Sequence, residues 1–152
     1  MKYRFITLLS LFVFALAAMA EGKAKYVFYF IGDGMGVNQV NAAETYLGAL
    51  EGRIGIKELC FPSFPFTALV NTQSATNGVT DSAASGTALA TGSKANNGYI
   101  GVDANGEDVY SIAHKAKERG LAVGIATTVP INHATPAAFY AHNKSRNNYN
   151  EI

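Results

Sequence analysis

The chain has 152 residues, of which 49% are hydrophobic and 15% charged, and its formal net charge is +1. That length suits a single domain, and a near-neutral balance without a basic run excludes nucleic acid as a main partner. One cysteine excludes an internal disulfide, so the fold must hold by its core. Cys60, set between apolar neighbours in "ELCFPSFPF", reads as a buried small hydrophobe rather than a nucleophile.

Residues 1–20 read as a cleaved secretory signal peptide. Lys2 and Arg4 precede an apolar run over 5–16, and Ala18-Met19-Ala20 has the small-x-small pattern of a signal peptidase site. The run is too short to span a bilayer comfortably, and polar Glu21, Gly22 and Lys23 follow it, so no membrane anchor is expected. Export implies the periplasm in a Gram-negative source. Without Lys2 and Arg4 the formal charge falls from +1 to −1. Residues 21–152 contain no repeat, low-complexity tract or linker, and about 130 residues suffice for one core of modest size.

"KYVFYFIG" (25–32) is nearly continuous in apolar, aromatic and β-branched residues, which suits a strand buried on both faces. "DGMG" breaks it. Residues 37–50 read as a helix, with Ala42, Ala43, Tyr46, Leu47 and Leu50 at helical spacing. "FTALVNT" (66–72) is a second strand. A helix opens near Ser82, capped by Thr80, Asp81 or Ser82 itself, and runs to about Thr91. Asn97-Gly98 within 96–103 signals a hairpin. The next helix is capped by Asp108, carries Val109, Ile112, Ala113 and Ala116 on one face, and ends at Gly120. "LAVGIAT" (121–127) is a third strand, and Pro136 starts a last helix through about His142. His114 and His142 read as solvated helix residues.

Strands alternating with helices imply an α/β fold, a three-layer sandwich around a mostly parallel sheet. Ligands of such folds lie beyond the carboxyl ends of the strands. Asp33 follows the first strand, Asp81-Ser82 the second, and His133 and Thr135 the third. Asp33, alone, reads equally as a turn aspartate bonding its own backbone or as a metal-ligating carboxylate. Its "GDGMG" setting lacks the features of a P-loop or a dinucleotide-binding loop. Ser82 reads locally as a cap, but this convergence favours a nucleophile on the first turn of a helix, where unpaired N–H groups attract an anion. "TDSAA" is not the nucleophile elbow of the α/β-hydrolases, and Ser82 has no histidine nearby in sequence. A serine without a base needs another activator, and a bound cation that lowers its pKa would serve.

The segments "YVFYFIGDGMG", "VTDSAASGTALATGSKANNGYIGVD" and "HATPAAFYAHNKSR" resemble, in order, the opening, nucleophile and magnesium-site segments of the alkaline phosphatases. The resemblance implies phosphate-monoester hydrolysis through a phosphoserine, at a site of two zincs and one magnesium. It implies that Asp33 bridges one zinc and the magnesium, that Ser82 is the zinc-bound nucleophile, and that Thr135 binds magnesium through its hydroxyl. Asp81 would orient Arg146, whose planar fork would hold the substrate phosphate. His133 stands where some bacterial members carry Asp. It would be a magnesium-site residue, as a direct ligand or one step removed, unless its side chain caps the following helix.

Family members are much longer, and most of their zinc ligands lie downstream of these segments. The resemblance therefore implies that residues 21–152 are the N-terminal part of one alkaline phosphatase domain, inactive alone and homodimeric when full length. Its substrates would be small phosphate monoesters. Two other readings stand beside it. One is a phosphodiesterase of the same superfamily, against which the Asp81-Ser82-Ala83 stretch speaks. The other is a non-catalytic periplasmic module that binds metal or phosphate.

Overall fold

The structure, a computed structural model, describes residues 24–152. The signal-peptide expectation for residues 1–20 lies outside them. The chain divides into two compact units, one ending at Ile31 and one spanning Gly32–Ile152. In the first, residues 24–31 carry no helix or strand. Tyr26, Val27, Phe28 and Phe30 are exposed there, with the Phe28 and Phe30 rings stacked at 6.4 Å.

The second unit opens with helix α1, Val37–Leu50, over the span its periodicity predicts. Gly36 caps it, and the Gly36 N–H is held by the Gln39 side chain at 3.1 Å. Its buried residues are Glu44 and Gly48, while Tyr46 and Leu50 stay exposed. Glu44 accepts the Leu59 N–H at 2.9 Å, so this buried carboxylate fastens the following loop to the helix.

Helix α2, Ser82–Thr91, is the light-residue run. Of the three capping candidates Asp81 is the one used, accepting the Ala84 N–H at 2.9 Å. Gly92 ends the helix in a left-handed turn. The helix buries Ala83, Ala84, Gly86, Thr87 and Ala90. It packs on a short helix, α4, Ala134–Ala137. A methyl group on Gly86 would lie 3.4 Å from both the Ala138 Cβ and the Thr135 Cα, so the two helices meet almost backbone to backbone. Ala83, Ala90, Ile100, Ala134, Ala137 and Ala138 form the buried cluster between them. Fully buried Thr87 bonds the Tyr99 carbonyl at 3.1 Å and the Gly101 N–H at 2.9 Å, which ties α2 to the loop after it.

The helix between them, α3, spans Ile112–Glu118 and starts later than expected. Ser111 caps it, because its hydroxyl both accepts the His114 N–H at 3.1 Å and donates to the Phe139 carbonyl at 2.6 Å. Asp108 is instead bridged to Val102. The α4 expectation also needs correcting. Pro136 lies within the first turn, where its missing N–H has no partner to lose. The helix stops at Ala137 because the chain beyond it must reach Ile100, with which Asn143 exchanges two backbone bonds of 2.8 Å.

The described residues contain no strand ladder, only the isolated antiparallel bridges Ile100–Asn143 and Val102–Asp108. The Asn97-Gly98 turn forms, but the expected hairpin does not, since Ile100 pairs with Asn143. Segments 66–72 and 121–127 carry no bridge, and Phe66, Leu69, Val70 and Leu121 are exposed. A strand buried on both faces needs neighbours on each edge and a layer on each side, and the described residues supply neither to these segments. Cys60 is exposed, against expectation, in a loop that stays at the surface. No helix among the described residues is long and apolar enough to cross a membrane.

Candidate active site

Asp33 stands in the turn that follows Gly32, where the Met35 N–H closes on the Gly32 carbonyl at 3.1 Å. Each of its carboxylate oxygens accepts one hydroxyl. Ser82 Oγ donates to Oδ1 at 3.0 Å and Thr135 Oγ1 donates to Oδ2 at 2.8 Å. Residues 49 and 102 positions away in sequence are thus joined across one carboxylate. Ser82 is the first residue of α2 and Thr135 the second of α4, so close packing of the two helices brings both hydroxyls to the same edge. The turn-aspartate reading of Asp33 is not what these bonds describe.

Asp81 engages a different set of groups. Its Oδ1 caps α2, and its Oδ2 accepts the Gly98 N–H at 3.0 Å and Arg146 Nη1 at 3.1 Å. About a quarter of each side chain in this ion pair is exposed. Partial burial pushes the Asp81 carboxyl up, but the Ala84 and Gly98 N–H groups and the Arg146 guanidinium outweigh it. The net effect holds its pKa below the usual carboxylate value. Asp81 therefore remains an anion that fixes the arginine. A guanidinium has five N–H donors, and the Asp81 contact engages one nitrogen, which leaves the fork able to meet an oxyanion.

His133 is the N-cap residue of α4 by backbone, its carbonyl accepting the Ala137 N–H at 3.0 Å. Its side chain makes no capping bond, which corrects the helix-cap alternative. Nδ1 is buried with no hydrogen-bond partner. A buried imidazole nitrogen in that state costs free energy unless something not held within the protein engages it. The other two histidines lie elsewhere. His114 faces Glu118 across 3.4 Å on exposed α3. His142 lies beyond α4 and not in a helix, with Nδ1 2.7 Å from the Gly101 carbonyl.

The oxygens of Asp33, Ser82 and Thr135 suit a hard cation, and the unpartnered His133 nitrogen suits a divalent metal of borderline character. Among the described residues no group of three or more His, Cys, Asp or Glu gathers into a complete metal cage. The donors present thus fit part of a ligand set.

Sequence reasoning missed Asn97 and Gly98. Asn97 bonds Val79 and Asp81, and Gly98 bonds Asp81 and Arg146. The Asn-Gly pair was visible as a turn, but its contacts span more than fifteen residues and leave no local trace.

The alkaline phosphatase family model matches residues 24–152. The chain is 41% identical to the tissue-nonspecific alkaline phosphatase isozyme of Gallus gallus over 147 residues, covering 90% of this chain and 28% of that protein. Its structure matches the cold-active alkaline phosphatase of the psychrophile Shewanella sp. with a TM-score of 0.70 and 45% identity, over 78% of this chain and 30% of the other. It also matches a histidine-to-aspartate variant of TAB5 alkaline phosphatase with Mg bound in its M3 site. There the TM-score is 0.58 and the identity 37%, over 60% of this chain and 26% of that one. The chain thus spans less than a third of each of these relatives, whose fold is of the α/β class. The family match covers every described residue, Asp33, Ser82 and Thr135 among them, and on that ground the chain belongs to the alkaline phosphatase family.

Proposed function

We propose that this chain is the nucleophile-bearing part of an enzyme that hydrolyses phosphate monoesters through a phosphoserine at Ser82. The observation that carries the reading is the Asp33 carboxylate, which accepts Ser82 Oγ on one oxygen and Thr135 Oγ1 on the other. A carboxylate shared in that way is what a residue bridging two cation sites requires, with the nucleophile on one side and the second hydroxyl on the other. Asp33 and Ser82 would hold zinc, and Asp33 and Thr135, with His133 beside them, would hold magnesium. A second zinc would take ligands that the described residues lack. Bound cations would lower the pKa of the Ser82 hydroxyl and offset charge on the phosphoryl oxygens.

The chain's own residues do the rest. Arg146, fixed by Asp81, receives two phosphoryl oxygens in its fork. Ser82 Oγ attacks phosphorus while the first turn of α2 presents N–H groups to the incoming anion. The alcohol departs, leaving phosphate on Ser82, and water then cleaves that bond to return the free hydroxyl and release inorganic phosphate. The same reading makes segments 25–32, 66–72 and 121–127 strands of the three-layer sandwich in the whole protein. It also makes that protein a periplasmic homodimer acting on small phosphate monoesters.

The test is covalent trapping. Full-length, zinc- and magnesium-loaded protein mixed with labelled phosphate at acidic pH should carry label on Ser82, and Ser82→Ala should carry none. Equal labelling of the two would end the assignment.

A further inference from the structure

The Asn97-Gly98 turn touches the backbone on both sides of Thr80 and both members of the Asp81–Arg146 pair. The Asn97 amide makes two bonds to the segment leading into α2. Nδ2 donates to the Val79 carbonyl at 3.0 Å, and Oδ1 accepts the Asp81 N–H at 3.3 Å. The amide of a side chain here does what a neighbouring backbone would do in a sheet, where no ladder exists among the described residues. Gly98 continues the contact with its own peptide groups. Its N–H donates to Asp81 Oδ2 at 3.0 Å and its carbonyl accepts the Arg146 N–H at 2.8 Å. With Arg146 Nη1 on Asp81 Oδ2 at 3.1 Å, the three residues close a ring. Gly98 has φ of +87°, a conformation that allows both of its peptide groups to face this ring. The turn is itself anchored from behind. The Ala75 N–H reaches the Ala95 carbonyl at 2.9 Å, and Lys94 Nζ reaches the carbonyls of Asn71, at 3.0 Å, and Gln73.

We infer that Asn97 is a positioning residue for phosphate capture: its side-chain amide sets the register of the Val79–Asp81 segment against Gly98, and through Gly98 sets where the Arg146 fork stands relative to Ser82. The role rests on the proposed phosphate chemistry, but the geometry it predicts does not. Asn97 bonds Thr76, Val79 and Asp81 rather than the Ser82 hydroxyl, so its role is exercised through Arg146. Asn96 provides an internal contrast, because it belongs to the same turn yet directs its amide away, to the Ala104 carbonyl at 3.2 Å.

Amide hydrogen exchange on the full-length protein reads the geometry directly. Asn97→Ala should speed exchange of the Asp81, Gly98 and Arg146 amides about tenfold, the factor for one ordinary hydrogen bond. The Gly101 amide, held by Thr87, should not change, and Asn96→Ala should leave all four as they are. Asn97→Asp keeps the acceptor for Asp81 and loses the donor to Val79, so it should give a smaller effect and serves if the alanine variant unfolds. Unchanged exchange at Asp81 and Arg146 in both Asn97 variants overturns the inference. So does an equal effect of Asn96→Ala. In the full-length, metal-loaded protein, Asn97→Ala should weaken inorganic phosphate binding about tenfold and add nothing in an Arg146→Ala background. Additive losses there would mean that Asn97 acts without Arg146. Wild-type protein that binds no phosphate would count against the functional reading alone, while the exchange result still decides the role of Asn97.

Discussion

Gly101→Ala should break the link between the core and the Arg146 segment. Every backbone group of Gly101 is engaged: its N–H with Thr87 Oγ1 at 2.9 Å, its carbonyl with the Val109 N–H at 2.8 Å and with His142 Nδ1 at 2.7 Å. Its φ of +60° lies in the left-handed region, and an added Cβ would stand 2.1 Å from the Ala141 carbonyl oxygen and 2.9 Å from His142 Nδ1. The left-handed conformation costs an alanine about 1–2 kcal/mol. The contact with Ala141 is worse, since that oxygen belongs to backbone that cannot retreat without pulling Asn143 off Ile100. Losing those two bonds adds about 0.5–1.5 kcal/mol each, for a total of about 2–5 kcal/mol. Gly98→Ala is the matched control. Its φ is also positive, at +87°, but nothing lies within 4 Å of the added Cβ, so only the conformational strain of about 1–2 kcal/mol applies. Denaturant unfolding midpoints of the two variants give the difference. If Gly101→Ala unfolds no more easily than Gly98→Ala, the collision with Ala141 is absorbed elsewhere and the estimate fails.

Two further predictions concern the site in the full-length protein. Arg146→Ala should weaken phosphate binding and slow turnover by about 1.5–3 kcal/mol, while metal analysis shows the sites still filled. A parallel collapse of zinc content would make Arg146 structural. His133→Asp should tighten magnesium binding and lower zinc occupancy at the third site, because a hard cation prefers an added carboxylate to an imidazole. The measurement is activity against magnesium after chelation at constant zinc, and an unchanged midpoint would put His133 outside that site.

Helices could be read from the sequence where the local pattern was strong. Val37–Leu50 appears with the bounds its spacing predicts, and Asp81 caps Ser82–Thr91 as its chemistry allows. At the next helix Asp108 was expected as the cap, but Ser111 takes the role, held by the distant Phe139 carbonyl, which no local pattern reveals. The apolar runs at 66–72 and 121–127 have the composition of buried strands, but a strand is a property of its neighbours as much as of itself. The meeting of Asp33, Ser82 and Thr135 was legible because each was expected at a strand end that a parallel fold would bring to one edge. What could not be read is which carboxylate oxygen serves which hydroxyl, or that an Asn-Gly turn would hold both Asp81 and Arg146.

The run of light residues in α2 has a mechanical consequence. With Gly86 against Ala138 and Thr135, the helix that carries Ser82 and the helix that carries Thr135 approach there with nothing larger than an alanine methyl at the contact. The spacing of the two helix backbones at that seam is set by small groups rather than by long side-chain rotamers. A wider residue anywhere on that seam would act as a shim, tilting one helix and carrying its hydroxyl away from Asp33. Tolerance to substitution in α2 should therefore track the spacing at Asp33 more closely than it tracks hydrophobicity.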